Sequence, residues 1–301
     1  MKKERTEEIS KRILIIGGTG FTGREVVRLL SEKCGQIACL VRSPQGAEML
    51  RRYGGGLVWG DLNQPESIRT ALTGMDVLIN VASLGFGHAA AVVDACVRAG
   101  VRRAIFTSTT AIFTTLPAAS KTIRMEAERI ITAGPLDYTI LRPTMIYGKP
   151  GDRNMIRLLH WLKRIPVVPI PGNGNFLMQP IFVEDVAAAV AGCLEHDLTI
   201  GRCYNISGKA PQTFNAVVTE AAQALGRRVR LLHLPLAPCL ALLQLYQRIS
   251  PSPRLKPEQV LRLNEDKAFD HQDAARDFGF SPRSFADGIR REAALMEKQH
   301  G

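Results

Sequence analysis

The sequence predicts a doubly wound α/β fold, a parallel sheet covered by helices on both faces, with a smaller, mostly helical C-terminal lobe. Three observations carry this. Apolar runs such as Ile13-Leu14-Ile15-Ile16 and Ile37–Val41 are continuous rather than alternating, as expected of strands buried on both faces. Helical stretches of about ten residues separate them, the spacing of βαβ units. The rhythm then breaks after Arg142-Pro143, where prolines and glycines punctuate the chain.

The elements follow in order. Arg12–Ile16 is a strand, and Phe21–Ser31 a helix with Val26, Val27, Leu29 and Leu30 as its apolar residues. Ile37–Val41, Leu57–Trp59, Val77–Val81, Ala104–Ser108 and Asp137–Leu141 are strands. Helices at Gly46–Tyr53, Pro65–Leu72, Ala89–Ala99 and Thr122–Ala133 alternate with them, and right-handed crossovers wind the sheet doubly. Beyond lies a loop-rich stretch around one helix, Met155–Lys163. A helix at Val183–Glu195 and a strand at Cys203–Ile206 rejoin the main fold, and Leu234 onward reads as mostly helical. The expected organisation is a disordered leader over 1–11, a core over 12–148, and a substrate lobe over 149–301 from which about 179–208 returns to the core.

At 301 residues and 46% hydrophobic, the chain can bury one large core with an appended lobe. No apolar run approaches the ~20 residues of a membrane-spanning helix, and the polar start carries no apolar signal segment. A cytoplasmic protein is expected. Cys34, Cys39, Cys96, Cys193, Cys203 and Cys239 form no Cys-x-x-Cys pair, so free thiols are expected and no metal site. The net charge of +11 is dispersed, near helix ends and in turns, which argues against a nucleic-acid partner and suits an anionic cofactor or substrate.

Gly17-Gly18-Thr19-Gly20-Phe21-Thr22-Gly23 follows the first strand and opens the first helix. Gly17 permits the tight turn, Gly20 lets backbone approach a pyrophosphate, and Gly23 lets the helix pack closely. Unpaired N–H groups at the helix start attract phosphates. In this βαβ context the motif is a dinucleotide-binding, Rossmann-type turn. At the end of the second strand an NAD site carries a carboxylate for the ribose hydroxyls. Arg42 stands there instead, and a guanidinium grips a 2′-phosphate, so NADP(H) is expected over NAD(H). An exposed strand-end cation is the plain alternative.

With these motifs in place, the sequence resembles the short-chain dehydrogenase/reductase superfamily, in its extended and atypical branches. The matching pieces are residues 17–23, Arg42, Gly60-Asp61-Leu62, Asn80-Val81-Ala82-Ser83, Phe106-Thr107-Ser108-Thr109, Leu141–Gly148, Gln179–Ala187 and Tyr204–Gly208. The resemblance implies that Asp61 and Leu62 sit beside the adenine. It places Val81, Ala82 and Ser83 along the ribose and pyrophosphate, and Pro143 and Thr144 at the nicotinamide. The sequence is most similar to atypical members such as a complex I accessory subunit and NADPH-sensing regulators. Nucleotide-sugar epimerases share the C-terminal pieces.

Reductases of this superfamily use a Tyr-x-x-x-Lys pair with a Ser or Thr, the lysine lowering the tyrosine's pKa. None of the five tyrosines here is followed four residues later by lysine. Ser108 and Thr109 fill the Ser/Thr position. Two registers compete for the pair. In one, Lys121 is the lysine and Pro117 replaces the tyrosine. In the other, Arg124 stands for the lysine and Ser120 for the tyrosine, with Glu128 one turn on. Lys121 as a plain helix-start cation stays open, as does Tyr147 as a substitute acid or a packing residue.

The substrate side mixes apolar and basic residues: Met155–Arg164 with Trp161, Arg157, His160 and Lys163, and then Leu231–Leu245. A hydrophobic pocket, a face resting on a membrane surface or an ordinary core helix would all look like this. The leading expectation is an NADPH-dependent oxidoreductase passing hydride to a small apolar carbonyl or unsaturated compound. A nucleotide-sugar epimerase or dehydratase with tightly held NAD(P), and a non-catalytic NADP(H)-binding regulatory or structural protein, are the alternatives. An oligomer is compatible with all three.

Overall fold

The computed structural model describes residues 11–149, 151–250 and 257–298; the expected leader lies, but for its last residue, outside the described residues. In chain order the first elements are β1 (Ile13–Ile16), α1 (Phe21–Lys33), β2 (Ile37–Val41), α2 (Pro44–Arg51), β3 (Gly56–Trp59), α3 (Pro65–Leu72), β4 (Val77–Asn80) and α4 (Ala89–Ala99). Then come β5 (Arg103–Thr107), α5 (Ala119–Ala133), β6 (Asp137–Pro143), β7 (Ile146–Tyr147), α6 (Met155–Arg164), β8 (Val167–Pro171), β9 (Leu177–Met178) and β10 (Ile181–Phe182). The chain continues through α7 (Val183–Glu195), β11 (Arg202–Ile206), β12 (Gln212–Thr213), α8 (Phe214–Ala224), β13 (Arg230–Leu234), α9 (Leu236–Ile249), α10 (Pro257–Leu263), α11 (Gln272–Phe278) and α12 (Phe285–Lys298).

These elements form two compact units, one built from residues up to Pro143 with Val183–Ile206 and Asp270–Ser281, the other from the remainder. The first unit holds a seven-stranded parallel sheet in the order β11-β6-β5-β4-β1-β2-β3. The central strands β1, β2 and β4 are buried along their whole length, whereas the edge strand β3 is partly exposed. On one face Leu14, Leu40, Leu78, Phe106 and Ile140 meet Ile68, Val92 and Ile131 from the helices. On the other, α1 packs on α7. Arg103 is largely enclosed at the base of β5, where burial lowers its pKa, and its two terminal nitrogens donate to the Asp137 and Cys193 carbonyls and to Thr139 and Thr199. Cys39, Cys96 and Cys193 are buried free thiols whose pKa desolvation pushes up to about 12.

The strand order reverses between β1 and β4. From β1 the chain winds outward through β2 and β3, then returns to start again at β4 on the other side. In open parallel sheets ligands bind beyond the carboxyl ends of the strands at such a switch point.

The second unit is built of short pairs, β7 with β10, β9 with β12, and β8 with β13, around α6, α8 and α12. The β8–β13 ribbon corrects the sequence expectation of loop over 166–171 and of helix at 234. Val167↔Arg230 through Pro171↔Leu234 are in parallel register. Pro169 and Pro171 are tolerated because a two-stranded ribbon leaves one edge of each strand unpaired, where a missing N–H costs nothing. The segment Asp270–Ser281, which the sequence reading put in the smaller lobe, belongs to the first unit, where Phe278 lies against Gly192 of α7 and Tyr204 donates to Asp277 across 2.8 Å.

Candidate functional site

The glycine turn lies at the switch point. Gly17 has φ +85°, and a Cβ there would come 2.5 Å from the Ala82 nitrogen, so the turn is pressed onto the chain leaving β4. Val81 N–H donates to the Ile16 carbonyl at 2.8 Å, extending the β1–β4 ladder to this point. A Cβ at Gly23 would collide with the Gly17 carbonyl oxygen, so only glycine allows α1 to start this close. Gly20 is the N-cap of α1 and supplies no side-chain acceptor. Thr19 and Gly20 are exposed, with Phe21 and Thr22 half-buried in the first turn.

A second helix start abuts the turn. Ser43 caps α2 by accepting from Gly46 N–H at 3.2 Å, and a Cβ at Gly46 would come 3.0 Å from the Thr19 methyl. Arg42 is exposed beside this cap, at the carboxyl end of β2. The neighbouring strand end is tied in by Gly60 N–H to the Val41 carbonyl at 3.0 Å. Asp61 accepts from both the backbone N–H and the side-chain amide of Asn63 at 2.9 and 3.0 Å. The Asn63 bonds, with a smaller push from Arg42, hold its carboxyl below the usual range. Leu62 and Ala82 pack against the core. Ser83 is exposed and accepts from Gly85 N–H.

The expected catalytic residues separate. Ser108 is buried at the end of β5 and donates to Glu128 Oε1 at 2.5 Å. Glu128 takes a fork from Arg142, Nε at 3.0 Å and Nη2 at 2.5 Å to Oε2, and the guanidinium lies 5.4 Å from the Phe113 ring centre. Thr109 accepts from Ala111 N–H at 3.2 Å, which leaves its own proton to donate. Thr110 donates toward the Pro143 carbonyl at 3.4 Å, joining the end of β6 to this strand end.

Helix α5 begins at Ala119, and the two cations in its first turns reach different partners. Arg124 donates to Ser120 at 3.0 Å and lies over the β4 turn, where a Cβ at Gly85 would come 3.2 Å from its Nε. Lys121 points elsewhere, its ammonium held by the Thr114 carbonyl at 2.6 Å. In the second unit Thr144 donates to the Gln179 carbonyl at 2.5 Å. Tyr147 is 1% exposed, donates to the Phe285 carbonyl, and packs edge-on against Phe182, the environment of a packing residue. The Glu128–Arg142 pair went unrecognised in the sequence, because it joins a helix to a strand fourteen residues apart with no motif of its own.

Among the described residues no group of His, Cys, Asp and Glu could hold a metal ion, and no helix is long and apolar enough to cross a membrane. Known proteins share this architecture. A 71-residue stretch is 46% identical to photosystem II assembly factor Ycf39 of Cyanophora paradoxa, covering 24% of this chain and 22% of that protein. Ceramide reductase of Caulobacter vibrioides is 32% identical over 74% of this chain and 73% of its own. The crystal structure of gox2253 superposes with a TM-score of 0.79 at 21% identity, over 97% of this chain and 99% of that one. A family model described as NAD(P)H-binding matches residues 17–197, the span that carries the glycine turn, Arg42 and the Ser108–Thr109 strand end. This chain therefore belongs to the NAD(P)H-binding family, among the atypical short-chain dehydrogenase/reductases.

Proposed function

We propose that the chain is an NADPH-dependent oxidoreductase that reduces an apolar carbonyl or unsaturated compound. The observation that carries the reading is the pairing of the Gly17–Gly23 turn with Arg42, a cation where an NAD site needs a carboxylate. The tight turn, the uncapped start of α1 and the basic end of β2 fit a phosphorylated dinucleotide. Gly17, Thr19, Gly20, Phe21, Thr22 and Gly23 would hold the pyrophosphate, Arg42 the 2′-phosphate, Asp61 and Leu62 the adenine. Val81, Ala82 and Ser83 would follow the ribose, with Pro143 and Thr144 at the nicotinamide. When bound, the nicotinamide supplies the hydride.

Thr109 and Arg124 then act on the substrate oxygen. Thr109 has a donor left after capping, and Arg124 brings a fixed positive charge to stabilise the oxyanion as it develops. Ser108 is a positioning residue, since its proton goes to Glu128. The net proton comes from water, because neither a threonine hydroxyl nor a guanidinium is acidic enough to give one up alone. Kinship with a protein named for reducing ceramide, a lipid, supports the apolar substrate class.

One observation favours a second reading, a non-catalytic NADP(H)-binding protein: the chain lacks Tyr-x-x-x-Lys and shares a 71-residue stretch at 46% identity with a protein named as an assembly factor. Fluorescence titration with NADPH and NADH, followed by turnover with long-chain ketones and enones, tests both. Arg42→Ala is expected to weaken NADPH binding about 10- to 100-fold, as for a lost charge-assisted contact, and to leave NADH binding unchanged. A parallel loss for the two cofactors would overturn the NADP preference. Selective binding without turnover would favour the second reading.

A further inference from the structure

Helix α9 in the second unit carries apolar residues on two faces. Leu236, Cys239, Leu240 and Leu243 recur at i, i+3, i+4 and i+7 and are half-buried. Leu242, Leu245, Tyr246 and Ile249 repeat that spacing about a third of a turn round the helix. They are 68%, 54%, 40% and 73% exposed. No residue of this fourteen-residue helix is fully buried. The strand that leads into it adds to the exposed apolar surface. Leu232 on β13 and Val167 on β8 are 49% and 37% exposed, on the same face of the ribbon in its parallel register.

Among the described residues, the unpaired charge along this stretch of chain is positive. From Ala221 to Ile249 the sequence contains no Asp or Glu, while Arg227, Arg228, Arg230 and Arg248 are cationic, and Glu258 on the adjoining α10 is paired with Arg262 at 2.7 Å. Contact with a second copy about a twofold axis would set these cations against themselves. An anionic lipid surface answers both features: headgroups meet the arginines, and the outer stripe enters the acyl boundary.

We infer that α9 is an in-plane anchor through which the second unit rests on an anionic bilayer, with Leu242, Leu245, Tyr246 and Ile249 inserted. This stands apart from the reductase reading, since α9 binds here whether or not any hydride is transferred.

The test is co-sedimentation of the full chain with phosphatidylcholine vesicles, with and without phosphatidylglycerol, over a range of salt. Binding is expected only with phosphatidylglycerol, weakening as salt rises. The double variant Leu242→Glu/Ile249→Glu is expected to lower partitioning at least about tenfold, with the NADPH titration unchanged as a control for folding. Should that variant not fold, Leu242→Trp is a gentler probe, and its emission should shift to the blue only with anionic vesicles. No sedimentation with anionic vesicles, binding untouched by the stripe variants, or a native dimer that they dissociate would each overturn the proposal. The last would assign the stripe to a second copy.

Discussion

Ser108 gives its hydroxyl proton to Glu128, 2.5 Å away, and Glu128 is in turn forked by Arg142. One carboxylate thus joins α5 to the ends of β5 and β6 at the edge of the candidate site. The partners are not equivalent. Glu128→Ala would strand the Arg142 guanidinium, whose side chain is only 20% exposed, and breaking such a pair costs about 3–5 kcal/mol. Ser108→Ala removes one hydrogen bond to a group that keeps its main partner, and costs about 1–2 kcal/mol. Urea unfolding checks the order. Equal losses would mean that Arg142 finds another partner once Glu128 is gone.

The assignment of the substrate oxygen to Thr109 and Arg124 predicts a particular pattern of rates. Thr109→Val is expected to slow hydride transfer to a long-chain ketone about 100-fold, and Thr109→Ser to restore most of it. Arg124→Ala should slow the same step, and Arg124→Lys should recover part, since a point charge replaces a planar fork. Lys121→Ala should stay within about threefold, because its ammonium serves the Thr114 carbonyl. Single-turnover loss of NADPH fluorescence reads each rate. A slower Lys121 variant with a normal Arg124 variant would reverse the assignment.

That pattern also shows what was legible in the sequence. The strands and the glycine turn were, because buried parallel strands read as unbroken apolar runs and a tight turn needs glycine at set positions. Arg42 could be found by position alone, one residue past a strand. The choice between Lys121 and Arg124 could not, because it depends on which partner each long side chain reaches once α5 has packed. Both lie on one flank of α5, but Arg124 reaches back to Ser120 and over Gly85, whereas the Lys121 ammonium turns to the Thr114 carbonyl. The Glu128–Arg142 contact depends on how a helix packs across two strands, which periodicity does not encode. The β8–β13 ribbon was hidden by its prolines, which ordinarily argue against a strand.

Gly23 should be the least replaceable residue of the turn. A Cβ there meets the Gly17 carbonyl oxygen, and neither backbone can yield without moving α1 away from the turn. Gly23→Ala is expected to lower NADPH affinity at least about tenfold and stability by about 1–3 kcal/mol. Gly54→Ala is the matched control: its φ is +78°, but nothing lies within 4 Å of the added Cβ. It should cost about 1–2 kcal/mol in backbone strain and leave NADPH binding unchanged. Titration and thermal unfolding of the two variants separate a clash at the site from strain in a remote turn.

Glu292 gives the second unit its own dependence on pH. It is fully buried on α12, and desolvation, reinforced by the Asp152 carboxyl, raises its pKa from 4.5 to about 8. Asp152 is itself fixed, accepting from Asn154 and Ile156 N–H at 2.8 and 3.0 Å as α6 begins. Between those two pKa values the folded chain holds a proton on Glu292 that the unfolded chain has released. Its stabilising contribution is therefore complete below the unfolded value and is lost as pH rises toward about 8. Glu292→Gln keeps the volume and removes the titration. Thermal unfolding near pH 5 and near pH 8 should show the native chain losing stability across that interval and the variant losing less. At the alkaline end the variant should be the more stable of the two. Equal slopes for both proteins would move the pH dependence to another group.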